Sequence, residues 1–466
     1  MLLTIEKLIY GGDGLARLPA APVSSAPATD DTRARGKAVF VPFVLAAEKI
    51  DASLTEQKPG FARAKANAIL EPSPHRVPPP CPHFTRCGGC HYQHATYEHQ
   101  LAIKKEILRE SLHRLAKLDL PFDIQVHPSP PWNYRNRSRL QVQTGQVQTE
   151  PARTESAFAA GYFKLASHEL LAVEACPISS PLINRGIASL WQSGRAGTVP
   201  AGVREVEFFA NADDTQLLVE VGCAREARRA AVRDWAEQWR TALTEIAGVV
   251  AFREPNPGDR KASAPEILVT VGAASLTYQT ERAAYRVSAG SFFQTNRHLI
   301  DELVSIVTAG HSGKLALDLF AGAGLFSTAL ARDFHHVVSV ESSQTSSADL
   351  AYNRPSNGET VQATTEQYLA RAESPGRAGK GTVTPQVPNK PDLVVVDPPR
   401  SGLGEGVARS LANLGAPRIA YVSCDPATLA RDLVPLLASG YRVEQVHLVD
   451  LFPQTYHLES VVHLLR

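Results

Sequence analysis

The sequence predicts a multidomain α/β protein in three parts: a small N-terminal OB-like β-barrel over residues 1–70, a central α+β domain over 71–290, and a C-terminal Rossmann-like domain over 291–466. Three observations carry this prediction. The 466 residues are about three times the ~150 of a typical domain. Short alternating apolar runs broken by glycine and proline fill the first 70 residues, whereas from Gly313 onward apolar strand patterns alternate with helical ones. Between the two lie three cysteines in ten residues, Cys81, Cys87 and Cys90.

In the first part, LTIEKLI precedes the GGDG turn. GKAVFVPFVL, KIDASLT and ARAKANAIL then complete a barrel of about five strands. The Ala/Pro/Ser/Thr/Asp stretch between Leu18 and Gly36 reads as a long loop of that barrel, and PSPHRVPPP at 72–80 as a stiff connector. YEHQLAIKKEILRESLHRLAKL carries apolar residues at helical spacing over about 97–118, making one amphipathic helix able to pack on the C-terminal domain. Residues 132–290 supply strands such as SRLQVQT, AAGYFKL, REVEFFA and QLLVEVG, with a helix near 226–243. SFFQTNRHLIDELVSIVTAG starts a helix leading into the last domain. There LALDLF, HHVVSVE, DLVVVDPP and RIAYVSC read as buried strands separated by helices, a mostly parallel sheet covered on both faces. The Pro/Gly/Lys-rich stretch 371–390 reads as a loop without chemistry.

Composition narrows the class. Apolar residues at 44% and charged residues at 20% describe a globular chain and exclude a wholly disordered one. Six cysteines are too few for a disulfide scaffold. The 48 basic and 47 acidic residues give +1, which excludes a histone-like tail protein. Residues 1–140 hold 19 Lys/Arg against 13 Asp/Glu, a local +6, so a polyanion would meet the front of the chain. No window offers 18 to 20 apolar residues in a row, and MLLTIEKLIYGGDG lacks the marks of a secretory signal, so a cytoplasmic chain is expected.

Asp318-Leu-Phe-Ala-Gly322-Ala-Gly324 follows a buried strand and opens a helix, where glycines let the backbone turn tightly and approach a ligand. The dinucleotide form G-x-G-x-x-G is incomplete, since Leu325-Phe326-Ser327 follow the second glycine. Asp318 at the strand end would repel a pyrophosphate, and Glu341 ends the next strand, placed to accept from a ribose. The stretch favours S-adenosylmethionine over a dinucleotide or a plain structural turn.

Two further strand ends carry chemistry. Asp397-Pro398-Pro399-Arg400 presents an acid rigidly, because two prolines fix the backbone behind it; a stiff turn is the plainer account. Ser423-Cys424-Asp425-Pro426 puts a thiol beside a helix N-terminus, whose field would stabilise a thiolate and make Cys424 a covalent nucleophile. An inert buried cysteine is the alternative. Pro453, Gln454, Thr455, His457 and Glu459 lie on the final crossover, where Glu459 is either a general base or a surface residue.

Together, FFQTN, DLFAGAGLFS, VVVDPPRSGL, YVSCDPATLARDL and DLFPQTYHLESV resemble the RNA uracil-5 methyltransferases, which are class I S-adenosylmethionine enzymes. The resemblance implies Cys424 as nucleophile toward uracil C6 and Glu459 as the base that removes the C5 proton. It implies Asp397 as the acid that orients the pyrimidine edge beside the donor, Gln294 as a contact to the methionine moiety, and Glu341 as the ribose acid. Asp318, Gly322 and Gly324 belong to the donor loop. Asp425 departs from the usual asparagine, adding a charge that opposes a thiolate unless it is turned away or paired. The acid near the adenine is matched only by Glu366 in ATTE.

Three clustered thiols need a fourth ligand from Cys176 or Cys223, and their spacing alone admits zinc, an iron–sulfur cluster or unliganded thiols. CPHFTRCGGCHYQH with the later Cys176-Pro177-Ile178 resembles the iron–sulfur branch of the same family. The resemblance implies a [4Fe–4S] cluster, with zinc as the alternative, on Cys81, Cys87, Cys90 and Cys176, structural and RNA-facing; no radical-type Cys-x3-Cys-x2-Cys run is present. Residues 1–70 resemble a TRAM domain, an RNA-binding barrel. Arg135, Arg137 and Arg139 alternate in NYRNRSRL and would share one strand face, either as a phosphate-contacting stripe or a solvated one. The target uracil must leave its stack to be attacked, so a loop or single strand of RNA is the expected partner of a monomer. Barrel plus cluster resembles the bacterial 23S ribosomal RNA enzymes, with position 1939 as the expected uridine. Other readings are a tRNA substrate or a non-catalytic RNA-binding protein on an old methyltransferase shell.

Overall fold

The computed structural model describes residues 1–18, 36–149, 153–254, 266–373 and 390–466. Most of the expected 18–36 and 371–390 loops therefore lies outside the described residues. Three sheets and a two-stranded ribbon form the framework, and no helix among the described residues is long and apolar enough to cross a membrane.

The N-terminal part has six strands, not about five. Their order is Leu2–Thr4, Lys49–Gln57, Phe61–Glu71, Ala38–Pro42, Asp13–Arg17 and Lys7–Leu8, in one sheet curled into a half-barrel. LTIEKLI splits in two because its successive N–H groups turn to opposite sides: Ile5 N donates to Glu48 O and Glu6 N to Leu15 O. Both edges of the curled sheet are thus parts of one segment. Alternation places Val39, Val41, Ile50, Ala52, Ala62 and Ala64 inside it.

The central sheet runs Leu170–Ala172, Arg153–Phe163, Arg137–Thr149, Val203–Ala210, Leu217–Cys223, Ile246–Arg253 and Glu266–Gly272. Helices Pro181–Arg195 and Arg229–Ala242 cover one face through Ile187, Leu190, Trp235 and Trp239. The period of two sends Phe208 to that face and Phe209 to the other. There Phe209, Leu218 and Val250 share a core with Ala316, Val395 and Val422 of the last sheet, so the two sheets are packed together.

The last sheet has the order Gly358–Gln362, Phe334–Glu341, Gly313–Leu319, Leu393–Val396, Arg418–Ser423, Glu459–Leu465, Arg442–Val449 and Gln125–His127. Its first five strands are parallel and Glu459–Leu465 enters antiparallel. The strand order reverses at Gly313–Leu319, which opens a crevice beyond its C-terminal end. Helices Tyr97–Ala116, Thr365–Glu373, Gly404–Leu414 and Pro426–Ala438 cover one face; Ile300–Thr308 and Leu325–Leu330 cover the other. FFQTN is a loop ahead of helix Ile300–Thr308, not its first turn. The helix expected over about 97–118 ends at Ala116, with Lys117 closing it at φ 54°.

Candidate active site

The crevice floor is built by strand ends in register. Leu319 pairs with Val340 on one side and Val396 on the other, so the next residues, Phe320, Glu341 and Asp397, continue as one row. The chain then turns through Phe320 (φ 65°), Gly322 (φ 55°) and Gly324 (φ 94°). At Gly324 a Cβ would lie 2.9 Å from Leu350 Cδ1, so glycine is needed for space as well as for φ. Glu341 braces the turn: Oε2 accepts from Gly322 N at 2.9 Å and Oε1 from Ser343 N at 2.6 Å.

Asp318 is fully buried beneath the turn, where Ser327 Oγ donates to Oδ2 and Ser339 Oγ donates to Ser327. Burial pushes its carboxyl up to about 7, and Oδ1 is buried with no partner in the described structure. Gln294 is buried, and its Nε2 donates to Asp397 Oδ2 at 3.3 Å. Asn136 Nδ2 holds the Gln294 carbonyl at 3.0 Å, tying the FFQTN loop to the central sheet. The glycine turn, the orphaned Asp318 oxygen and the Gln294 amide over the row of acids fit a ligand with a ribose and an ammonium group.

Ser423 pairs with Ser460 in the antiparallel ladder, and Ser460 Oγ donates to Ser423 O at 3.1 Å. One step along each strand, Cys424 and Glu459 become cross-strand neighbours at the sheet end. Glu459, which could have been a surface residue, is 3% exposed. Burial and then Asp397 raise its carboxyl well above the usual range, against Arg400. Half-buried Asp397 is pushed up to about 7 by burial.

The thiol departs from the expected helix-field effect. Cys424 is pushed up to about 12, first by burial, then by Glu459 and Asp397, with Arg400 opposing. The helix N-terminus is spent elsewhere: Asp425 Oδ1 accepts from Ala427 N at 3.0 Å and Thr428 N at 2.9 Å, capping Pro426–Ala438. Asp425 is therefore paired with the helix, and it is not among the groups that raise Cys424.

Three residues to which the sequence gave no role stand here. Arg400 is the cation facing Cys424 and Glu459, and its Nη2 lies 3.2 Å from His457 Nε2. Burial and Arg400 push His457 down to about 3, so it stays neutral. The DPPR run placed Arg400 three residues beyond a presented acid, which was a usable signal. Tyr10 of the half-barrel donates to Cys424 O at 3.2 Å, and no local pattern marks it. Glu366 is exposed on helix Thr365–Glu373.

Cys81, Cys87, Cys90 and Cys176 line one cavity of about 540 Å³ with Phe84, Gln93 and Arg135. Cys223 is fully buried in the central core, away from them. Gly88 N donates to Phe163 O at 3.1 Å and Gly89 N reaches Cys87 Sγ at 3.4 Å, wrapping the loop tightly. Among the described residues, no group of three or more His, Cys, Asp or Glu side chains is placed to hold a metal ion as it stands. Four convergent thiols nevertheless suit a thiolate-liganded group in composition and loop shape. The arginine stripe is divided. Arg135 lines this cavity; Arg137 donates to Ser291 O at 2.8 Å and lies over Phe209; Arg139 is 57% exposed and ion-paired with Glu207.

The family model described as tRNA (uracil-5-)-methyltransferase matches residues 96–466. An uncharacterized RNA methyltransferase of Aquifex aeolicus is 30% identical over 99% of this chain and 97% of its own length. A protein of Pseudomonas fluorescens (strain Pf0-1) named 23S rRNA (uracil(1939)-C(5))-methyltransferase is 31% identical over 98% of this chain and 90% of its own. Among solved structures, the Pyrococcus abyssi tRNA (uracil-54, C5)-methyltransferase in complex with S-adenosyl-L-homocysteine has the same fold. Its TM-score is 0.69 at 22% identity, covering 100% of both chains.

Proposed function

The chain belongs to the tRNA (uracil-5-)-methyltransferase family, a group of S-adenosylmethionine-dependent RNA enzymes, and on that premise we propose that it methylates C5 of one uridine in 23S rRNA through a covalent bond from Cys424 to uracil C6. The observation that carries the mechanism is the Ser423–Ser460 register, which brings Cys424 and Glu459 to one sheet end beside Asp397. A site of the uracil-1939 type is favoured by the 23S rRNA relative, which matches almost end to end. The half-barrel, resembling a TRAM domain, and exposed Arg139 are assigned to RNA, and the enzyme acts as a cytoplasmic monomer on an unstacked uridine.

Uracil C5 is a weak nucleophile, so the ring must be activated before methylation. Addition of the Cys424 thiolate to C6 moves a π pair onto the C4 carbonyl and gives C5 carbanion character. Half-buried Cys424 releases its proton to solvent ahead of this addition; its high pKa makes the thiolate scarce but strongly nucleophilic. The methyl donor supplies an electrophilic carbon toward C5. Asp397, held by Gln294, orients the pyrimidine edge; Glu341 and the Gly322–Gly324 turn hold the ribose end of the donor. Glu459 then takes the C5 proton, and the electron pair left behind expels Cys424 and restores the C5–C6 double bond. A carboxyl of raised pKa is a competent base for a carbon acid, provided that Arg400 keeps it ionised in the complex.

The test is methyl transfer to 23S rRNA with mapping of the product. Wild type modifies one uridine and Cys424→Ala none, a loss of at least about a thousand-fold. Glu459→Gln accumulates a protein–RNA adduct that survives denaturation. Adduct-free turnover in both variants contradicts the covalent route, and product in tRNA alone reassigns the substrate.

For the thiol cavity we propose a [4Fe–4S] cluster on Cys81, Cys87, Cys90 and Cys176, which would pin the segment around it. Anaerobically purified protein is expected to contain iron and acid-labile sulfide, lost in Cys176→Ser and kept in Cys223→Ser. Zinc without sulfide would replace the cluster by a tetrahedral zinc site.

A further inference from the structure

The loop between Asp450 and Glu459 is held by residues outside its own domain. His91 N and Tyr92 N, directly after Cys90, both donate to Gln454 O, at 2.8 and 2.9 Å. Gln454 and Gln100 form a reciprocal amide pair: Gln100 Nε2 donates to Gln454 Oε1 and Gln454 N donates to Gln100 Oε1, each at 3.0 Å. Both residues are buried, Gln100 at 1% and Gln454 at 3% exposure. Gln454 has φ 69°, a left-handed conformation unusual for a residue with a Cβ, held only because its surroundings over-determine it. Beyond it, Tyr134 donates to Pro453 O at 3.0 Å and buried Lys104 to Phe452 O at 2.9 Å.

This fixed turn delivers two groups to the reaction site. Thr455 Oγ1 accepts from His457 N at 3.1 Å, which presents the imidazole to Arg400. Two residues later Glu459 begins its strand opposite Cys424. A shift at Gln454 would therefore move the base and the imidazole that meets Arg400, while Cys424, on another strand, keeps its own helix and cap.

We propose that Gln100 is a positioning residue for Glu459, acting through Gln454, so that the helix following the cysteine segment sets proton removal from C5. This rests on the covalent reading above, because it assigns Gln100 to the step after adduct formation. Gln100→Leu fills similar space but leaves Gln454 N and Oε1 without partners. It is expected to lower kcat about ten- to a hundred-fold, the scale of a misplacement near 1 Å. The KM for RNA should stay within about three-fold, because binding groups are untouched. Adduct should accumulate on ordinary RNA, as with Glu459→Gln. On RNA carrying 5-fluorouridine, which has no C5 proton to remove, trapping should run at the wild-type rate. Gln454→Gly is the second variant, since glycine suits φ 69° and deletes only the side-chain arm; a smaller kcat loss of the same kind is expected. Unchanged kcat in both variants overturns the proposal, and so does trapping that slows in step with kcat, which would mark a general loss of fold. If Glu459→Gln itself accumulates no adduct, the base assignment fails, and that result is separable from a failure of Gln100 alone.

Discussion

Asp425 differs from an asparagine of the same shape by one charge, and its hydrogen bonds explain why the charge is tolerated beside Cys424. Its carboxylate accepts from two N–H groups of the first turn of Pro426–Ala438, where a negative group also meets the positive end of the helix dipole. Asparagine caps nearly as well, whereas alanine leaves those N–H groups open. Asp425→Asn should therefore keep stability within a few tenths of a kcal/mol and methylation near wild type, while Asp425→Ala should cost about 1 kcal/mol. Urea unfolding midpoints with parallel methylation rates check both. A large rate gain in Asp425→Asn would show that the carboxylate does oppose the thiolate. The thiol itself shows where residue-scale reading of sequence stops. A cysteine before a helix is visible in SCDP, but the two carboxyls that push it up come from Asp397 and Glu459, which are 27 residues before and 35 residues after it in the chain.

Among elements, those with a strong internal period were legible and those defined by their partners were not. The helix Tyr97–Ala116 and the strands Gly313–Leu319, Leu393–Val396 and Arg418–Ser423 announced themselves because each buries a continuous stripe or run of its own. Gln125–His127 did not: three residues carry no period, and the strand exists because His447, Leu448 and Val449 offer it an open edge. The split of LTIEKLI followed the same rule, since only Glu48 and Leu15 decide which way Ile5 and Glu6 face. The candidate site was legible wherever a motif stood at a strand end, as with Gly322, Asp397, Cys424 and Glu459. Of the two cysteines the sequence offered as a fourth ligand, Cys176 lies at the thiol cavity and Cys223 in a core. Tyr10 and the Gln100–Gln454 pair were invisible because each contact joins segments more than 350 residues apart.

At the scale of the whole molecule, the half-barrel and the central sheet each keep a core of their own, but two further clusters run across the parts. One apolar cluster runs from Leu8 and Leu45 of the half-barrel through Tyr92 and Ala95 to Ile103, Ile107, Leu108, Leu112 and Ile124, then into Leu429, Leu433, Leu448 and Leu464. Lys104 and Asp450, both fully buried, join the same regions in an ion pair of 2.6 Å, and Tyr97 adds a bond of 2.9 Å to Asp450. A fragment beginning at Ser291 would lose Ile103, Ile107, Leu108, Leu112 and Ile124 together. At about 1.5–3 kcal/mol for each side chain, that loss rivals the ~5–15 kcal/mol that holds a typical domain folded. The cut would also leave Asp450 buried without its cation, costing about 3–5 kcal/mol more, and would bare the edge of Arg442–Val449. The fragment 291–466 is therefore expected to be insoluble or unfolded. A fragment starting at Ser73 keeps the helix, the ion pair and the edge strand, and should stay soluble with a lowered melting temperature. Soluble yield and the cooperativity of thermal unfolding by circular dichroism distinguish the two. A soluble 291–466 fragment with a sharp transition would show that the sheet stands alone and that the helix Tyr97–Ala116 is only docked upon it.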